Sequence, residues 1–79
     1  MANVYVVTVY VDTNINNEYD DRIYATKESA KVRLHELAQR YIANVPKSDY
    51  TLEDFGDELS IVLPEGQVLI WYDRYQVFD

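Results

Sequence analysis

Cysteine is absent from this chain, which excludes a disulfide framework and every form of thiol chemistry. A reducing cytoplasm suits such a composition, and that is the compartment expected. There are only two glycines, and no run of them makes a phosphate-cradling loop. A single histidine, His35, leaves no Cys/His metal cluster to assemble. Long apolar runs are missing too. The N-terminus, Met1-Ala2-Asn3, enters a strand-like run almost at once, without a basic leader and far short of the apolar length of a signal peptide or membrane span. A soluble protein that stays where it is made is the expectation.

Basic residues are also scarce, seven against fourteen acids, for a net charge of −7. Five of the seven lie in residues 26–47 (Lys27, Lys31, Arg33, Arg40, Lys47) against Glu28 and Glu36, a net of +3. The remainder carries twelve acids against Arg22 and Arg74, a net of −10. Such a surface repels nucleic acid and anionic membrane and attracts basic patches on proteins, which argues against direct DNA or RNA binding.

What the chain does have is apolar residues at 48% and eight tyrosines, enough for a packed interior. Its 79 residues suit one domain spanning 1–79. Thr26 to Val45 has the one sustained helical pattern, with Ala30, Leu34, Leu37, Ala38, Tyr41 and Val45 on one stripe. Thr26 is suited to cap it, and Pro46 to end it. Glu36 four residues before Arg40 adds ~0.3 kcal/mol on its outer side.

Val4 to Asp12 is a strand apolar on both faces, a pattern of central strands with both faces covered. One helix covers one face; the other must meet the chain's own loop segment or another molecule. Asp21 to Ala25 reads as a return strand after the polar loop 13–19. Leu59–Leu63 and Gln67–Tyr72 form a second hairpin across Leu63-Pro64-Glu65-Gly66, with Gly where a left-handed residue is needed. The last strand can run on through Tyr75, Val77 and Phe78, with a bend near Asp73-Arg74. Between the halves, Thr51-Leu52-Glu53-Asp54-Phe55 is read as a capped helical turn closed by Gly56, with Leu52 and Phe55 tucked against the sheet; an irregular strand is the alternative. The predicted fold is α+β: a two-layer sandwich, an antiparallel sheet of about four strands (β-β-α-β-β) with one main helix on one face.

Three candidate chemistries are weighed. Asp12 to Asp20 places side-chain oxygens at alternate positions, like the first half of a calcium loop. Asn17 stands where Gly is wanted, however, and Ile23 where a bidentate Glu belongs, so a solvated hairpin loop is preferred and no metal is expected. His35 has no nucleophile or carboxylate at a suggestive spacing, so it reads as a surface histidine. Adjacent acids such as Asp20-Asp21, Glu53-Asp54 and Asp57-Glu58 mimic a catalytic dyad only on paper. The chain is expected to be no enzyme and to need no cofactor.

The feature left is carboxylates interleaved with tyrosines. Residues 49–65 hold six acids and no base. Asp20, Asp21, Tyr50, Glu53, Asp54, Asp57, Glu58, Trp71 and Tyr72 are the candidate partner-binding residues. Aromatics serve as rigid interface anchors, and spaced carboxylates can take the places of nucleic-acid phosphates against Arg/Lys grooves. Set against this, acids also serve solubility, and tyrosines complete small cores.

A compact, cysteine-free, acidic, Tyr-rich α+β domain of this size resembles the small phage-encoded anti-defence proteins, anti-CRISPR inhibitors in particular. The run Ile23-Tyr24-Ala25-Thr26-Lys27-Glu28-Ser29-Ala30, a strand entering a capped Lys-Glu-x-Ala helix, is similar to what small phage proteins carry. The resemblance implies a stoichiometric inhibitor in the host cytoplasm, docked on the basic surface of a nucleic-acid-binding defence protein. The alternative is a small assembly protein that homodimerises through its spare sheet face.

Overall fold

The computed structural model describes residues 2–12 and 18–77, apart from the side chains of Glu18, Tyr19 and Asp21. In chain order the elements are β1 (Ala2–Val11), β2 (Glu18–Tyr24), α1 (Lys27–Ile42), β3 (Thr51–Asp54), β4 (Glu58–Leu63) and β5 (Gly66–Val77), with a single 3₁₀ turn at Lys47–Asp49. The class is α+β. The sheet has five strands, one more than the sequence suggests, in the order β2-β1-β5-β4-β3, and every neighbouring pair is antiparallel.

β1 and β5 are the spine, paired without a break from Ala2 opposite Val77 to Val11 opposite Val68. β5 runs continuously through Asp73-Arg74, where the sequence suggests a bend. β1, apolar on both sides, is an inner strand as its composition requires. Its pairing with β2 shifts register between Val6 and Thr8, a bulge in the edge strand pair.

Thr26 caps α1 in extended geometry, its hydroxyl accepting from the Ser29 N–H at 3.2 Å. The helix stops at Ile42, three residues before the expected end, in a turn where Val45 N–H donates to the Ile42 carbonyl at 3.0 Å. Ala30, Leu34, Leu37, Ala38 and Ile42 are buried against Val7 and Val9 of β1, Leu59 and Ile61 of β4, and Val68 and Ile70 of β5. Those strand residues alternate to one face, as a two-residue period demands. Tyr41, assigned to the stripe, packs at the margin of this core.

The segment 51–58 corrects the capped-turn expectation. Thr51–Asp54 is a strand, with Leu52 opposite Ile61 and Asp54 opposite Leu59. An isolated turn of helix nucleates at a cost, whereas β4 offers an open ladder whose bonds are gained at once. Gly56 closes the β3–β4 hairpin at φ +91°, its N–H held by Asp54 Oδ1 at 2.8 Å. In consequence Leu52 and Phe55 are not tucked in; Phe55 is 59% exposed. Gly66 at φ +154° opens β5, and a Cβ there would collide with the Asp12 carboxylate. The expected hairpin glycine is therefore required by its backbone, while the exposed Asp12 carboxylate could swing aside.

Candidate functional site: the uncovered sheet face

Strand alternation sends Val4, Val6, Thr8 and Tyr10 of β1 away from the helix. Opposite them in register stand Tyr75, Asp73, Trp71 and Leu69 of β5, and beyond these Glu58 and Ser60 of β4 and Glu53 of β3. No described element covers this face. It is therefore apolar and aromatic in the middle, with Val4, Val6, Tyr10, Leu69 and Trp71 only half-buried and Val62, Tyr75 and Val77 exposed. Thr8 is buried at its centre, between Val6 and Tyr10 and opposite Trp71.

The polarity of the face is one-sided. β1 contains no lysine or arginine, nor do β3 and β4, and the one in β5, Arg74, alternates to the helix side. Glu53, Glu58 and Asp73 all fall on the open side. Trp71 Nε1–H donates to Asp73 Oδ2 at 3.2 Å, which holds that carboxylate beside the indole. Where β4 begins alongside β5, Asp57, Glu58, Leu69, Trp71, Tyr72 and Asp73 line a shallow cavity of about 350 Å³. Three carboxylates around an indole suit a guanidinium or ammonium group, which gains charge-assisted hydrogen bonds and the negative face of the ring together.

The structure distributes the sequence candidates unevenly. Glu58 and Trp71 share the open face with Glu53, and Asp57 joins them at the cavity. Tyr72 turns toward the helix side, its ring edge-on to Tyr5 at 5.6 Å, yet still forms one lip of the cavity. Tyr50 packs at the margin of the core. Asp54 alternates to the helix side, where Oδ2 lies 3.4 Å from His35 Nε2, both groups half in water. That carboxylate beside His35 was not expected from spacing; β3 delivers it. The Asp20 side chain is 3% exposed and engaged internally with Arg33 and Tyr24. The side chain of Asp21, and residues 13–17 that carry most of the calcium-loop reading, lie outside the described residues.

Asp73 and Leu69 are missing from the sequence candidates. The signal was present: both stand two residues from Trp71, and hence on the same face of any strand that contains it.

Among the described residues no group of three or more His, Asp or Glu is placed to hold a metal ion. No helix is long and apolar enough to cross a membrane. No protein-family model, curated protein or solved structure matches the chain.

Proposed function

We propose that the protein is a non-enzymatic, protein-binding inhibitor that docks its uncovered sheet face on the basic surface of a nucleic-acid-binding bacterial defence protein. A phage or other mobile element is the source that such a role implies, and the host cytoplasm is its place of action. The observation that carries the reading is the open face itself, where Glu53, Glu58 and Asp73 surround Trp71 and Leu69 without a basic neighbour from β1, β3, β4 or β5. An apolar centre with charged surroundings is the anatomy of a protein interface, and the single sign of charge selects a cationic partner. The basic residues of α1 lie on the other side of the sheet and so do not oppose that approach.

The test begins by capturing partners from bacterial lysate and identifying them by mass spectrometry. A basic nucleic-acid-binding protein, bound more weakly as salt rises and displaced by its own nucleic acid, is the expected result. Glu58→Lys with Asp73→Lys should abolish the complex, while Glu28→Lys on the helix should leave it intact. Binding indifferent to salt and to both open-face reversals overturns the reading.

A second reading is assembly, favoured by the exposed Val62, Tyr75 and Val77 on the same face. In that case the pure protein is a homodimer whose faces meet, and Trp71→Ala returns it to a monomer by mass in solution.

A further inference from the structure

β5 is longer than anything that flanks it on one side. β4 pairs with β5 only from Gly66 to Trp71, and the last backbone bond on that side runs from Tyr72 N–H to the Asp57 carbonyl at 3.4 Å. From Asp73 to Val77 the strand pairs with β1 alone. Tyr72 shows which residues point outward. By alternation Arg74 and Gln76 turn their N–H and C=O groups to the bare side, and among the described residues nothing meets them there. β2 likewise stops at Tyr24 opposite Tyr5, so residues 2–4 and 75–77 form a two-stranded ribbon beyond the body of the sheet. All five residues from Asp73 to Val77 are exposed, Tyr75 at 54% and Val77 at 42%. A two-stranded ribbon is marginal in water, and a bare strand edge is a template for another strand.

We infer that this edge is the seam of a two-fold homodimer, in which Asp73–Val77 pairs antiparallel with the same segment of a second copy. Three features favour a second copy as the occupant. Centring the pairing on Tyr75 sets Arg74 opposite the second copy's Gln76, so the two residues with free backbone groups satisfy each other. Asp73 then faces Val77 and Tyr75 faces Tyr75, with no like charges opposed; sliding the register to centre on Arg74 would oppose two guanidinium groups. Finally, Asp73–Val77 carries one acid and one base in a chain of net charge −7, so pairing this segment with itself adds no net charge at the seam.

The two-fold axis is normal to the sheet, since only that rotation joins one edge to itself antiparallel. The five strands of each copy then form one continuous sheet, with both helices on one side and both acidic faces uncovered on the other. This goes beyond the proposed inhibitor role and leaves that surface free. It also differs from face-to-face assembly, because Trp71 is not in the seam.

The test is a mass measurement across a concentration series, with cysteine placed by design in a chain that has none. Tyr75→Cys puts two thiols across the axis at a non-hydrogen-bonded position, where Cα atoms stand about 4.5 Å apart, within the ~4.4–6.8 Å that a disulfide spans. Under mild oxidation it should become a covalent dimer, while Val32→Cys on the exposed helix surface forms no cross-link across the seam. Gln76→Pro removes a donor that serves only the seam, so the dimer should be lost with the circular dichroism and thermal midpoint retained. Trp71→Ala should leave the dimer in place. Monomeric wild type throughout the series, or Tyr75→Cys that does not cross-link, overturns the inference even if Gln76→Pro fails to fold.

Discussion

Arg33 of α1 reaches Asp20 of β2 with Nε at 2.9 Å from Oδ2 and Nη2 at 3.5 Å from Oδ1. The carboxylate is 3% exposed and the guanidinium side chain 18% exposed, and the Tyr24 hydroxyl donates to the same Oδ2 at 2.6 Å. β2 is an edge strand whose Ile23 points to solvent on the open face. Among its described side chains, Tyr24 is the one at the margin of the apolar core. The ion pair is therefore what fastens this strand to the helix.

Removing one partner should cost more than the pair itself contributes, because the other is left desolvated. Asp20→Ala is expected to destabilise by about 2–3 kcal/mol in urea unfolding. Arg33→Met should cost a similar amount, and the double variant less than the sum. Additive losses would mean that the two residues do not act as a unit.

Tyr24 gives the fold an alkaline limit. Burial first, then the hydrogen bond to Asp20 and its charge, push the phenol up to about 12 from the ordinary value of 10.0. The folded state thus favours the neutral phenol. Its contribution is complete below the ordinary tyrosine range and is lost as pH climbs from there toward the raised value. Urea midpoints taken across that window should fall for the wild type and fall less for Tyr24→Phe. An identical decline in both would remove Tyr24 as the cause.

The β3–β4 hairpin separates the two conformations weighed for 51–55. With Phe55 in solvent, Phe55→Ser should change stability by no more than about 0.5 kcal/mol. Leu59→Ala, four residues on and fully buried, should cost about 2–5 kcal/mol. A loss at Phe55 comparable to that at Leu59 would restore the tucked turn.

Much of the architecture could be read along the chain. The Thr26 cap, the Ala30–Leu34–Leu37–Ala38 stripe and the β-branched run of β1 each act through near neighbours, so their signals are local. β3 escaped because Thr51-Leu52-Glu53-Asp54 has no strong preference of its own; a partner strand made it extended. The site was legible in composition and misplaced in detail. Asp20, Asp54 and Tyr50 match the acidic and aromatic pattern, yet all three turn to the helix side, whereas Asp73, outside the sequence candidates, completes the open face.

By itself the sequence determined the elements that rest on periodicity and capping, the α+β class, and the separation of positive charge onto the helix. The tertiary structure decided what happens between distant residues: which acids share a face, which carboxylate is consumed by Arg33, and where β5 outruns its neighbours. These depend on strand order and register, and register is set by pairing across the whole sheet. A two-residue period says only that Trp71 and Asp73 lie on one side. The helix, by choosing the opposite side to cover, left that face to solvent.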